Sequence, residues 1–136
     1  MKHIAREHLT PIALDESVSS MAALKTMVTD GWPGWIVIKP ALMGDPREVM
    51  GLVEHLLSRT VVSSVFETGI GMSAVLQLAR AMLPPEPDTA LGFGTLAWFP
   101  EDDPLAGGFH LREGRLLEPL ISLPWEKLIW DHLPKA

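Results

Sequence analysis

Two charged residues at the ends of short apolar runs suggest a site. Asp15 follows the run at residues 11–14, and Lys39 follows the run at residues 35–38. If both runs are buried parallel strands, the two side chains emerge at the same carboxyl edge of one sheet, where α/β proteins build their sites. The functional alternatives are a metal ligand for Asp15 and an electrostatic role for Lys39. By spacing alone, a helix cap or loop residue and a solvated strand end are the commoner assignments.

Other polar residues give weaker signals. Glu16 and Glu67 could be catalytic acids, but a hydrogen-bonded structural role is favoured for each. The five histidines show no metal-ligand spacing, since His3 and His8 are five residues apart and miss the i, i+4 geometry of a helical zinc pair. Cysteine is absent, which excludes a disulfide framework, a thiolate nucleophile and a cysteine-based zinc site.

Length and composition are typical of a single soluble domain. The chain has 136 residues, 47% of them hydrophobic and 21% charged, with a formal net charge of −6. An acidic balance without a basic cluster argues against nucleic acid and anionic membranes as partners. The apolar runs are too short to span a bilayer, and the charged first residues do not resemble a signal peptide. We therefore expect a cytoplasmic protein.

Hydrophobic periodicity predicts alternating strands and helices. A break at Pro11 separates a short N-terminal helix from the first strand, and Ser17 is predicted to cap the first long helix. Asp45 and Pro46 form the start of the second long helix. The predicted strands are residues 12–14, 35–38, 61–65 and 90–94, and the intervening helices end near residues 30, 59 and 83. This order predicts right-handed βαβ units and a parallel sheet.

The pattern changes beyond residue 99. Residues 100–108 form a predicted loop, and Glu113 and Gly114 are predicted to turn a hairpin between residues 109–112 and 115–117. A final helix is predicted over residues 125–133.

Four strings resemble one known family. They are PIALDES at residues 11–17, VIKP at 37–40, VVSSVFETGIG at 61–71 and GFGT at 92–95. Together and in order they closely resemble the o-succinylbenzoate synthases of the enolase superfamily. These enzymes combine an α+β capping domain with a modified TIM barrel, and a full barrel takes about 250 residues. The resemblance implies an α/β chain that forms the C-terminal half of that barrel, strands five to eight.

This resemblance also implies a domain division. Residues 1–136 would be one partial barrel domain, with βα units over about residues 10–99 and a loop, hairpin and helix over about 100–136. The N-terminal capping domain would be absent.

The family's reaction defines roles for several residues. It dehydrates a cyclohexadiene carboxylate to o-succinylbenzoate in menaquinone or phylloquinone synthesis, through an enediolate stabilised by Mg²⁺. By resemblance Asp15 is the third metal ligand, and Lys39 steadies the developing charge. The positions that line the pocket near the succinyl carboxylate correspond to Ser63, Ser64, Gly92 and Gly94. The lysine that serves as base and the first two ligands belong to strands that the resemblance does not find in this chain.

Two other functions remain open. A half-barrel could serve as a non-catalytic assembly module, pairing as a homodimer or with a missing N-terminal half. A fragment of a related racemase or dipeptide epimerase is disfavoured, because the string at residues 63–71 resembles the synthase. On the synthase hypothesis, the chain alone is expected to be inactive.

Overall fold

The computed structural model describes residues 2–83, 90–100, 106 and 108–118. Its helices and strands alternate along the first two thirds of the sequence. In chain order they are α1 (Lys2–Glu7), β1 (Ala13–Leu14), α2 (Met21–Thr29), β2 (Trp35–Ile38), α3 (Pro46–Val53), β3 (Thr60–Val62), α4 (Gly69–Met82), β4 (His110–Arg112) and β5 (Arg115–Leu117). Short 3₁₀ helices occupy Pro40–Leu42, Glu54–Arg59 and Gly94–Trp98.

The first three strands form a parallel sheet in the order β1, β2, β3. Leu14 pairs with Ile36, and Ile38 pairs with Val62. Because α2 and α3 connect successive neighbouring strands, each connection is a βαβ crossover. The predicted alternation and the predicted parallel sheet are therefore confirmed.

The helices cover one face of this sheet. Ile36, Ile38 and Val62 are fully buried and belong to the same hydrophobic cluster as the helix residues Leu24, Val49 and Met72. On the opposite face, Trp35 is 39% exposed and Val37 and Val61 are only half-buried. Parallel sheets are usually covered on both faces. One face of this sheet therefore lacks a full cover among the described residues.

Several predicted boundaries differ from the structure. The third strand, predicted over residues 61–65, spans Thr60–Val62. The second long helix, predicted to end near residue 59, ends at Val53 and is followed by a 3₁₀ helix up to Arg59.

The predicted fourth strand at residues 90–94 is reduced to a single parallel bridge between Gly92 and Ser63, because the chain turns into a 3₁₀ helix at Gly94. The helix predicted to start after Ser17 starts three residues later, where the side chain of Ser20 accepts a hydrogen bond from the amide of Ala23. Val18 is fully buried in the preceding loop instead.

Other local predictions are confirmed. Asp45 caps α3 by accepting a hydrogen bond from the amide of Arg47, with Pro46 as the first helical residue. Gly31, with φ of +64°, follows the end of α2. The hairpin of β4 and β5 turns at Glu113 and Gly114.

The remaining predictions concern the C-terminal part and the membrane. The helix predicted at residues 125–133 lies outside the described residues. None of the helices that the structure describes combines the length and the apolar character needed to cross a bilayer.

Candidate functional site

The carboxyl edge of the parallel sheet brings Asp15 and Lys39 together. Asp15 directly follows β1, and Lys39 directly follows β2. Since side chains alternate between the faces of a strand, Lys39 shares the less covered face with Trp35 and Val37. Asp15 shares it too, because Ala13 is paired with Trp35. The structure thus supports the expectation that these two residues meet.

The ammonium group of Lys39 contacts two carboxylates. Its Nζ atom donates a hydrogen bond to Oδ1 of Asp15 and another to Oε1 of Glu16, the latter at 3.0 Å. The side chain of Lys39 is only 9% exposed, whereas those of Asp15 and Glu16 are 55% and 91% exposed. The lysine stem is therefore buried, and its charge is neutralised from the solvent side.

These contacts decide the protonation state of Lys39. Burial alone would lower the pKa of the ammonium group, because it penalises the charged form. The hydrogen bonds and charges of Asp15 and Glu16 outweigh this penalty and raise the pKa of Lys39 above its ordinary value. Lys39 is thus a fixed positive charge near neutral pH, suited to stabilising an anion and unsuited to acting as a general base.

Ser63 and Gly92 continue the same edge. Ser63 is level with Lys39 because Ile38 pairs with Val62, and the amide of Ser63 donates to the carbonyl of Ile38 at 2.8 Å. Gly92 is bridged to Ser63 on the far side. A Cβ atom on Gly92 would lie 2.6 Å from Oγ of Ser63, so only glycine permits this approach. Among the residues predicted to bind substrate, Ser63, Ser64 and Gly92 therefore lie together.

The two serine hydroxyls are engaged within the protein. Oγ of Ser63 donates to the carbonyl of Gly92 at 2.9 Å, and Oγ of Ser64 lies 2.7 Å from Oγ1 of Thr95. Ser64 is 2% exposed. Gly94 is exposed, and a Cβ atom there would meet nothing within 4 Å. Thr95, the last residue of the GFGT string, was not among the predicted site residues.

Glu67 departs from the role that the sequence favoured. Both of its carboxylate oxygens are buried, and neither has a hydrogen-bond partner among the described residues. Its stem lies against the first turn of α4, where a Cβ atom on Gly71 would come within 2.8 Å of Cβ of Glu67. The expectation of a hydrogen-bonded Glu67 is therefore not met in the part of the chain that the structure describes.

The described residues do not form a complete metal site. They contain no group of three or more histidine, cysteine, aspartate or glutamate side chains arranged to hold an ion. Asp15 offers a hard carboxylate of the kind that Mg²⁺ prefers, but one of its oxygens is bound by Lys39. This chain can supply at most part of a magnesium site from these residues.

Comparison with known proteins finds one group of similar enzymes. The chain is 42% identical over 97 residues to o-succinylbenzoate synthase of Thermosynechococcus vestitus, a match that covers 70% of the chain and 29% of that enzyme. This chain is similar to a section of o-succinylbenzoate synthase. The synthase of Mycobacterium tuberculosis strain H37Rv is 33% identical over 92 residues, covering 68% of the chain and 28% of the enzyme. No family model matches the chain.

A solved structure agrees with the sequence matches. The crystal structure of o-succinylbenzoate synthase from Thermosynechococcus elongatus BP-1, complexed with Mg in the active site, superposes with a TM-score of 0.69 and 33% identity. The superposition covers 97% of this chain and 36% of that one. The resemblance to o-succinylbenzoate synthase is thus shown by sequence and by structure, and the chain spans about a third of the length of these relatives.

Proposed function

We propose that this chain forms strands five to eight, the C-terminal half, of an o-succinylbenzoate synthase barrel and supplies one wall of its active site. The parallel order of β1 to β3 and the single bridge at Gly92 fit four successive barrel strands. The helices cover only one sheet face, as they do on the outside of a barrel, and the less covered face carries Asp15 and Lys39. A remaining half would cover that face.

The proposed reaction is a lyase-type dehydration. The substrate, 2-succinyl-6-hydroxy-2,4-cyclohexadiene-1-carboxylate, loses a proton beside its ring carboxylate and then water, giving o-succinylbenzoate. Loss of that proton places negative charge on the carboxylate oxygens as an enediolate forms. A preorganised positive charge at this point stabilises the transition state more than the ground state.

Lys39 is the residue of this chain that we assign to that task. The observation that carries the assignment is its buried ammonium group, held at the carboxyl edge by Asp15 and Glu16. Its raised pKa agrees with a residue that remains charged and does not exchange protons with the substrate. The base and acid would come from the other half of the barrel.

Asp15 is the proposed metal ligand. When bound, Mg²⁺ would supply further positive charge to the carboxylate of the substrate. The described residues provide no complete ligand set, so we assign Asp15 as one ligand of several and derive no step from the metal.

Ser63, Ser64, Gly92 and Gly94 are proposed to line the pocket near the succinyl carboxylate. Both serine hydroxyls are within hydrogen-bonding distance of the carbonyl of Gly92, and the amides of Ser63, Ser64 and Gly92 donate to backbone carbonyls, so these residues would shape the wall. The proposed partners are the carboxylate substrate and a second polypeptide half, in the cytoplasm.

Reconstitution tests the proposal. The chain alone is expected to show no dehydration, because this proposal assigns the base and the further ligands to the other half of the barrel. Coexpression with the unmatched section of the T. vestitus synthase should give Mg²⁺-dependent turnover, followed by the absorbance of the aromatic product. Lys39→Ala should then abolish turnover.

The matched control is Lys25→Ala, which removes an exposed lysine paired with Glu48 on the helix layer and should leave turnover unchanged. Retained activity in Lys39→Ala would refute the role of Lys39. Turnover by the chain alone would refute the proposal that it supplies only one wall of the active site.

A second candidate is a non-catalytic assembly module, favoured by the incomplete cover of the sheet face. A stable complex with the synthase section but without turnover would support it over the enzyme.

A further inference from the structure

The cluster around Lys39 carries more negative than positive charge. Its ammonium group has one positive charge, whereas Asp15 and Glu16 each bring a carboxylate within hydrogen-bonding distance. The substrate proposed above is itself a dicarboxylate, so an unchanged cluster would gather a third anion around a single cation. Like charges about 4 Å apart repel each other even in bulk water. The charge balance therefore favours release of one carboxylate when the substrate binds.

Glu16 is the carboxylate that Lys39 holds less firmly. Its side chain is 91% exposed, compared with 55% for Asp15, and one oxygen accepts a hydrogen bond from Nζ at 3.0 Å. Ion pairs in which a partner is this exposed contribute little free energy, because water replaces the contact. Asp15 has a second proposed role as metal ligand, and Glu16 has none. Release of Glu16 therefore costs less than release of Asp15.

The backbone around Glu16 allows its side chain to move alone. The carbonyl of Asp15 accepts a hydrogen bond from the amide of Val18 at 3.0 Å, which closes a turn that contains Glu16. Val18 is fully buried and anchors this turn in the core. Release of Glu16 thus requires rotation of one exposed side chain and no change in the edge of the sheet.

We propose that Glu16 holds the place of a substrate carboxylate at Lys39 and is displaced when that carboxylate binds. The inference rests on the proposed function, which assigns Lys39 to the substrate carboxylate. In the absence of substrate, Glu16 helps to keep the buried ammonium group paired, and on binding it competes with the ligand. Glu16 is thus a residue that sets affinity, while Asp15 stays on Lys39 in both states.

The test is a titration of the full chain with benzoate, whose carboxylate is attached to a ring as it is in the substrate. Binding is followed by amide chemical shifts at low salt. Glu16→Gln should bind benzoate about fivefold more tightly, the effect of removing one like charge about 4 Å from the ligand in water. Glu16→Asp keeps the charge on a shorter side chain that withdraws it from Lys39, so it should also bind more tightly than the wild type. Glu48→Gln, which removes an exposed carboxylate on the helix layer, should not change the affinity.

A second measurement follows the displacement itself. In the wild type, benzoate should move the carbon-13 resonance of the Glu16 side-chain carboxyl group toward the value of a hydrated glutamate in a short peptide. The resonance is assigned by its absence in Glu16→Gln. Lys39→Met should bind benzoate at least tenfold more weakly, which identifies Lys39 as the binding group. Should Lys39→Met fail to fold, a shift of the Lys39 ammonium nitrogen on titration identifies it instead.

Each other outcome overturns the inference. The ammonium group has three N–H donors, so benzoate could use the third with Glu16 still in place, and the Glu16 resonance would then not move. Equal affinity in the wild type and Glu16→Gln would show that the two carboxylates do not compete. Wild-type affinity in Glu16→Asp would assign the effect to charge without contact. A wild-type chain that does not bind benzoate at millimolar concentration also refutes the inference, while failure of the proposed function would appear separately, in reconstituted turnover.

Discussion

At the scale of single residues, the candidate site combines a buried cation with exposed anions. The side chain of Lys39 is nearly inaccessible, while both carboxylates that neutralise it are hydrated. Removing the lysine leaves two carboxylates in water, which costs little. Removing the carboxylates leaves a buried ammonium group without a partner, which costs much more.

We expect this asymmetry to be measurable in urea unfolding. The double variant Asp15→Asn/Glu16→Gln should lower the free energy of unfolding by about 1–3 kcal/mol, and Lys39→Met should change it by less than about 1 kcal/mol. Glu48→Gln, which breaks the exposed pair with Lys25, is the matched control and should have an effect near zero. Equal losses in the double variant and in Lys39→Met would contradict the asymmetry.

The raised pKa of Lys39 predicts the pH dependence of stability. A lysine whose folded pKa exceeds its unfolded pKa stabilises the protein fully below the unfolded value, about 10.4, and loses this contribution as the pH rises through the folded pKa. The difference in unfolding free energy between wild type and Lys39→Met should therefore be constant from about pH 7 to 9 and shift against the wild type above about pH 10.4. A difference that stays constant through the alkaline range would be inconsistent with this coupling.

At the scale of helices and strands, the sequence predicted the order of elements better than their limits. Apolar periodicity and the capping residues Asp45 and Pro46 determine where α3 begins, because these signals are local. The length of the fourth strand was predicted too long, because its apolar run gives no sign that Gly94 starts a 3₁₀ helix. The hydroxyl contact between Ser64 and Thr95 was also not predictable, since it joins residues 31 positions apart.

The Gly92 bridge gives a prediction at this scale. Gly92→Ala places a methyl group 2.6 Å from Oγ and 2.8 Å from Cβ of Ser63, so the bridge must open or shift. We expect a loss of about 1–3 kcal/mol in unfolding free energy. Gly94→Ala is the matched control, because its Cβ atom would meet nothing within 4 Å, and it should be nearly neutral in the same urea titration. Similar values for both variants would show that the close approach to Ser63 is unimportant.

At the scale of the whole molecule, one face and one edge of the described sheet are not fully covered by other described residues. Besides the less covered face, β1 pairs only with β2, so its outer edge has no strand partner among the described residues. Large apolar side chains such as Phe66 and Trp98 are 68% and 79% exposed. Open strand edges and apolar patches favour association.

We therefore expect self-association of the isolated chain. Size-exclusion chromatography with light scattering should give a mass above the 14.9 kDa of one chain. Coexpression with the unmatched section of the T. vestitus synthase should replace this species by a one-to-one complex. A stable monomer at high concentration would argue against the half-barrel.

Gly92 is joined to the sheet by a single bridge, so the stability of this pairing depends on the buried side chain of Phe93. Two backbone hydrogen bonds join Gly92 to Val62 and Ser64, but the next residue, Phe93, is 2% exposed and belongs to the hydrophobic core. Burial of such a side chain contributes about 1.5–3 kcal/mol, comparable to or larger than two net hydrogen bonds. Phe93 therefore acts as an anchor, and local opening of this segment, as amide hydrogen exchange detects it, must extract an aromatic ring from the core. The amide of Gly92 should consequently exchange its hydrogen as slowly as the amides of the core, and more slowly than those of the loops.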